Sequence, residues 1–158
     1  MDKRCILFTG LQASGKSTFC LQRFPDLVHV NLDTLHTRNR ERLLLEDCFA
    51  YGKSFVVDNT NPTRADRMRY IPAAKEHGYR VIGYYFQSSI SACKERNSLR
   101  EGKARLPVSA LAATHRILEL PAPDEGYDEL YYVRIDGDRF VVEPWMGEEK
   151  KEGDPGEV

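Results

Sequence analysis

Gly10-Leu11-Gln12-Ala13-Ser14-Gly15-Lys16-Ser17 stands just after the apolar run Cys5-Ile6-Leu7-Phe8 and opens a stretch of helical character lasting to Phe24. A short unbroken apolar run reads as a strand buried on both faces, and Pro25 stops the helix at the residue before it. Between strand and helix lies a complete G-x-x-x-x-G-K-[ST]. Its glycines let backbone N–H groups converge on phosphate oxygens, and the helix adds the positive end of its dipole. The lysine reaches the β- and γ-phosphates, and the serine hydroxyl binds Mg²⁺. Gly10, Ala13, Ser14, Gly15, Lys16, Ser17 and Thr18 are the expected contacts of a nucleoside triphosphate. The bland alternative, a glycine-rich turn that binds nothing, is disfavoured by the strand before it and the helix after it.

Outward from this loop the chain alternates strand and helix signals. Leu27–Val30 is a second strand, Thr34–Tyr51 a helix with Leu44, Cys48 and Tyr51 on one face, and Gly52 its C-terminal stop. Phe55–Val57 is a buried strand ending at Asp58. Thr63–His77 reads as a helix after the Asn61-Pro62 break, with Gly78 closing it. Tyr79–Phe86 is a strand, Ser91–Leu99 a helix, and Pro107 opens a further helix reaching Leu120. Tyr131–Ile135 and Arg139–Val142 flank Asp136-Gly137-Asp138, which predicts a terminal hairpin. Such alternation predicts an α/β fold with a mostly parallel sheet covered by helices on both faces. Ligands in such sheets bind at the carboxyl ends of the strands.

The chain's 158 residues predict one domain. With 41% hydrophobic and 30% charged residues and a net charge of −1, the composition is that of a globular chain rather than a disordered one. Its apolar runs are too short to cross a bilayer, and Met1-Asp2-Lys3-Arg4 does not begin a signal peptide. Cys5, Cys20, Cys48 and Cys93 form no C-x-x-C pair, so reduced thiols and a cytoplasmic location are expected. Charge is uneven. Residues 143–158 hold six acids and two lysines, leaving 21 basic and 18 acidic side chains in 1–142. That predicts a folded domain over 1–142 and a flexible acidic tail over 143–158. A body charge of +3 does not by itself announce a nucleic-acid binder.

Three further features carry candidate chemistry. Asp33 follows the second strand on the ligand side of the sheet, where a carboxylate can accept a proton from an attacking hydroxyl; its local alternative is a helix N-cap. Asp58 ends the third strand, where P-loop proteins place an acid that helps hold Mg²⁺; its alternative is a turn-forming acid before Asn59. Residues 94–105 contain five basic and two acidic side chains. They read either as a lid over the triphosphate or as a solvated helix end whose cations face the carbonyl terminus.

His29-Val30-Asn31-Leu32-Asp33-Thr34-Leu35, Asp58-Asn59-Thr60-Asn61-Pro62, Arg96-Asn97-Ser98-Leu99-Arg100 and Pro107-Val108-Ser109 follow the phosphate loop in order. Together they resemble the motifs of the polynucleotide 5′-hydroxyl kinase family. Ala122-Pro123-Asp124-Glu125-Gly126-Tyr127-Asp128 resembles the kinase domain of the animal kinase–phosphatases. The resemblance spans about Cys5 to Asp136. It implies a P-loop kinase-like fold with an arginine-bearing lid over about 94–106, and transfer of the ATP γ-phosphate, with Mg²⁺, to a 5′-hydroxyl of DNA or RNA. Asp33 matches the general base, Lys16 and Ser17 the triphosphate and Mg²⁺ ligands, and Arg100 the lid arginine, with Arg96 one turn earlier. Asp58, Asn59 and Thr60 fall in the acceptor region, and Arg38, Arg64 and Arg67 are expected to meet acceptor phosphates. Two positions depart from the pattern. His36 stands three residues after Asp33, where the phage member has an arginine for the acceptor phosphate. Asp136-Gly137-Asp138 is followed by Arg139 and not by a D-x-D-x-T phosphatase pattern, so a kinase without the phosphatase is expected. The rival readings are a small-molecule kinase, acting on a nucleoside or sugar, and a nucleotide-binding regulatory module.

Overall fold

The apolar run before the glycine loop forms β1 (Arg4–Thr9), buried from Cys5 onward. The computed structural model describes residues 2–102 and 105–147. Among them is a six-stranded sheet of order β2-β3-β1-β4-β5-β6. β1 pairs in parallel with β3 (Phe55–Val57) and β4 (Arg80–Phe86), so Ile6 lies opposite Val56 on one side and Ile82 on the other. β2 (Val28–Val30) and β5 (Glu129–Asp136) extend the parallel set, and β6 (Arg139–Pro144) adds antiparallel to β5. Alternate side chains leave a strand on opposite faces. Cys5 and Leu7 therefore pack with Val57, Cys48 and Ile71, whereas Ile6 and Phe8 pack with Phe19, Val56 and Phe86. The expected α/β architecture is present, and the hairpin turns at Gly137, whose φ is +66°.

Helices cover both faces: α1 (Lys16–Arg23), α2 (Leu32–Leu35), α3 (Arg38–Tyr51), α4 (Arg64–Arg67), α5 (Ile71–Glu76), α6 (Ile90–Ser98) and α7 (Val108–Ile117). Two of the helices expected from sequence are each split. Thr34–Tyr51 divides at His36, which has φ +72°, because Asn31 caps α2 and Thr37 caps α3 separately. Tyr51 is exposed; Cys48 is the fully buried residue of that face. Thr63–His77 divides at Met68–Tyr70, since Pro72 sits in the first turn of α5 and cannot continue a helix from α4. α7 stops at Ile117, not Leu120, because the chain turns away so that the Glu119 N–H donates to the Pro62 carbonyl at 2.7 Å. At the other end, β6 runs to Pro144 and Trp145 is buried against Tyr132, its Nε1 donating to the Pro121 carbonyl. Packed structure thus passes residue 142 by three positions. The rest of the acidic tail from 148 onward and lid positions 103–104 lie outside the described residues.

Arg67 ties distant segments together. Its Nε and Nη2 donate to the two Glu125 carboxylate oxygens at 2.7 and 3.0 Å, and its Nη1 donates to the Asn61 carbonyl at 3.0 Å. Both side chains are essentially free of solvent. This corrects the expectation that Arg67 meets an acceptor phosphate: its donors are used internally. Removing one partner of a buried pair strands the other charge, which costs about 3–5 kcal/mol. Arg67→Met is expected to lower the unfolding free energy by about that amount in urea denaturation. Adding Glu125→Leu is expected to recover most of the loss, because no charge is then left unpaired.

Candidate active site

The loop between β1 and α1 takes its shape from two residues at positive φ. Gly15, the N-cap of α1, has φ +97°, and Ala13 has φ +64°. A Cβ on Gly10 would come within 2.9 Å of the Phe86 Cβ, so only glycine fits beside β4. The Gly10 N–H donates to the Thr60 carbonyl at 3.0 Å, joining this loop to the end of β3. Lys16 is buried, and its ammonium donates to the carbonyls of Gly10 at 3.0 Å and Leu11 at 2.7 Å. An ammonium has three N–H bonds, so one remains for a phosphate oxygen. Burial pulls Lys16 down to about 8, opposed by the nearby Asp58 and Asp33 carboxylates. Ser14 Oγ is buried without a partner among the described residues, a second polar atom in the loop suited to an anion. The residues fit a bound polyphosphate.

A cavity of about 360 Å³ opens over this loop. Gln12, Lys16, Ser17, Asp33, Asp58 and Arg100 contribute its chemistry, and Ala13, Gly15, Thr18, Asn59 and Thr60 complete much of the wall. Arg100 lies near enough to Lys16 to help depress the ammonium's proton affinity. Arg96 reaches the loop from behind, with Nη1 donating to the Ala13 carbonyl at 3.2 Å. Leu106 and Ala110 also line the cavity. Leu106 ends the expected lid, and Ala110 comes from α7, which sequence reasoning did not assign to the site.

Ser17 and Asp58 meet at the junction of α1 and β3, Ser17 Oγ donating to Asp58 Oδ2 at 2.7 Å. A hydroxyl and a carboxylate oxygen together suit a hard divalent cation, and these two residues would hold Mg²⁺. The same Oδ2 lies 2.7 Å from His29 Nε2. That hydrogen bond pushes the imidazole up to about 10. Burial alone would raise the Asp58 carboxyl, but the bonds from His29 and Ser17 hold it below the usual carboxylate range. His29 had no assigned role in the sequence reading. Its position at the start of the acceptor motif was the available signal.

Asp33 sits in the first turn of α2, and the cap is Asn31, whose Oδ1 accepts from the Thr34 N–H at 3.2 Å. Capping is therefore not the work of Asp33. Its carboxylate is exposed, lines the cavity and has no hydrogen bond among the described residues. Asn59 differs: its amide oxygen accepts from the Leu32 N–H, and its NH₂ donates to Glu41 and Tyr70. The Asp58–Pro62 stretch thus acts largely as internal wiring, with Asn61 Nδ2 also donating to the Phe8 carbonyl.

Arg38 and Arg64 are not brought to this cavity. Arg38 donates to Glu41 and Tyr70 beside a second cavity, and Arg64 pairs with Asp124 at 3.1 Å. Arg38 finds its carboxylate one turn along the same helix, whereas the chain's path brings Asp124 to Arg64 from 60 residues away.

A profile of the AAA domain family matches residues 37–121. Over 149 residues the chain is 30% identical to a putative bifunctional polynucleotide phosphatase/kinase of Acanthamoeba polyphaga mimivirus, covering 89% of this chain and 35% of that protein. It is 28% identical over 127 residues to the bifunctional polynucleotide phosphatase/kinase of Schizosaccharomyces pombe, covering 77% of this chain and 31% of that protein. The chain therefore spans about a third of the length of these curated relatives. Among solved structures, a gluconokinase from Sinorhizobium meliloti shares the fold. It has 20% identity and a TM-score of 0.59, with 84% of this chain and 82% of that one covered. No helix among the described residues is long and apolar enough to cross a membrane.

Proposed function

The chain belongs to the AAA domain family, and from that premise we propose that it transfers the ATP γ-phosphate to a 5′-hydroxyl of DNA or RNA. The observation that carries this reading is Asp33. Its carboxylate shares one cavity with Lys16, Ser17 and Arg100 and is not engaged in capping. In-line transfer needs an acceptor for the hydroxyl proton and positive charge around the moving phosphoryl group. Asp33 takes the proton, while Lys16 and Arg100 supply fixed positive charge on the donor side. Mg²⁺ at Ser17 and Asp58 would neutralise donor phosphate charge. Similarity to the two polynucleotide phosphatase/kinases supports a polynucleotide acceptor.

One observation favours a small-molecule acceptor instead. Arg38, Arg64 and Arg67 are each paired with a carboxylate, and none lines the cavity. The deciding experiment is labelled γ-phosphate transfer across 5′-hydroxyl DNA, 5′-hydroxyl RNA, nucleosides and sugars. The polynucleotide reading expects transfer to oligonucleotides, with log affinity for a single strand falling against log salt at a slope of roughly −1.5 to −2, as for two or three phosphate contacts. Transfer confined to nucleosides or sugars, or a flat salt response, overturns it in favour of the small-molecule kinase.

A further inference from the structure

Behind the cavity wall lies a closed set of hydrogen bonds that no step above uses. Glu41 on α3 is 4% exposed, and Tyr70, just before α5, is 2% exposed. Tyr70 OH donates to Glu41 Oε2 at 2.9 Å and accepts from Arg38 Nη1 at 2.9 Å. Arg38 Nη1 also donates to Glu41 Oε1 at 2.9 Å. Asn59 Nδ2 completes the set, donating to Glu41 Oε2 at 3.1 Å and to Tyr70 OH at 3.2 Å. Both amide hydrogens of Asn59 therefore have acceptors, which fixes the amide's orientation and leaves Oδ1 facing the Leu32 N–H at 2.9 Å.

Leu32 is the first residue of α2 and the neighbour of Asp33. A four-residue helix has little stability of its own. Its placement depends on what grips its first turn. Asn31 grips it from within the strand–helix turn, with Nδ2 donating to the Asp58 carbonyl at 2.6 Å. Asn59 grips it from the turn after β3. Only the second grip passes into a buried charged group on another helix.

We infer that Glu41 and Tyr70 are positioning residues: by holding the Asn59 amide they set the first turn of α2, and with it Asp33, against the phosphate loop. Neither residue lines the first cavity, and neither touches the reacting atoms. Their effect reaches the reaction through Asn59 and Leu32. A misplacement of about 1 Å at a reacting group is enough to slow a reaction by about a hundredfold. The inference deepens the reading of Asp33 as the base and rests on it for its catalytic consequence.

A swap of hydrogen-bonding roles tests it. Glu41→Gln removes the carboxylate that Asn59 donates to, and Asn59→Asp sets two carboxylates against each other. Combined, they restore complementarity, since the new amide at 41 can donate to the new carboxylate at 59. Each single variant is expected to lower kcat about 10- to 100-fold with the ATP KM within about twofold. Each should also speed hydrogen exchange at the Leu32 amide of the nucleotide-free protein about tenfold. The double variant is expected to recover both. Tyr70→Phe keeps the ring and removes only the hydroxyl, so it tests the same link should a charge variant fail to fold. Leu32 exchange at the wild-type rate in the single variants overturns the inference. So does an unchanged kcat, or a double variant no better than its worse parent. Leu32 exchange needs no substrate, so it decides the grip even where Asp33→Asn transfers at the wild-type rate, a result that removes the functional reading instead.

Discussion

Asp33→Asn is expected to fold and bind ATP as the parent protein does and to transfer phosphate about 10²- to 10⁴-fold more slowly. The amide preserves shape but accepts no proton. Binding persists because Lys16 and the backbone of the phosphate loop are untouched. Stability persists for a reason visible only in the structure. Asn31 caps α2, and Asp33 contributes no hydrogen bond among the described residues. Asp33→Ala should therefore melt like the parent, whereas a capping Asp33 would lose about 1 kcal/mol on the same change. That loss should appear in Asn31→Ala. Thermal melts, ATP titration and single-turnover transfer on the three variants check the assignment. Wild-type transfer by Asp33→Asn would leave the chemistry without its base.

Arg100→Ala is expected to slow transfer by about 10³-fold or more while changing ATP affinity far less. An arginine that meets charge developing on the transferred phosphoryl acts mainly on the transition state. Arg100 lines the cavity and lies close enough to Lys16 for their charges to oppose each other. Two cations are kept near each other where a polyphosphate would carry several negative charges. Arg100→Lys should restore little, because an ammonium lacks the planar fork of donors. Comparing kcat with the ATP dissociation constant separates the outcomes. If both stay at the parent values, residues 94–105 serve as a solvated helix end. Lys16→Ala, by contrast, should weaken nucleotide binding as well.

Much of the fold could be read from local chemistry. A continuous apolar run is stable only with both faces covered, so Cys5–Phe8 and Phe55–Val57 declared themselves as interior strands. Helix ends were less legible where caps compete. Asn31 and Thr37 are both good N-caps six residues apart, and the chain uses both, with His36 taking a positive φ between them. The periodic pattern hid that break, because apolar spacing records which face is buried and not where hydrogen bonding restarts. Pro72 was a visible signal that the later helix divides.

The phosphate loop was legible in sequence alone, since the residues expected to meet a triphosphate fall within eight consecutive positions. The long-range partners of Arg67 and Asn59 were decided by tertiary structure. Arg67 pairs with Glu125, 58 residues away, and Asn59 with Glu41, 18 residues away. A guanidinium carries the same charge whether it faces a substrate phosphate or an internal carboxylate. Which one it meets depends on what the chain's path brings within hydrogen-bonding distance, and burial then makes an unpaired alternative too costly to persist. The cap Asn31, the proposed base Asp33 and the wiring residue Asn59 were likewise indistinguishable as side chains. Only the placement of α2 between the phosphate loop and the buried Glu41 separates their roles.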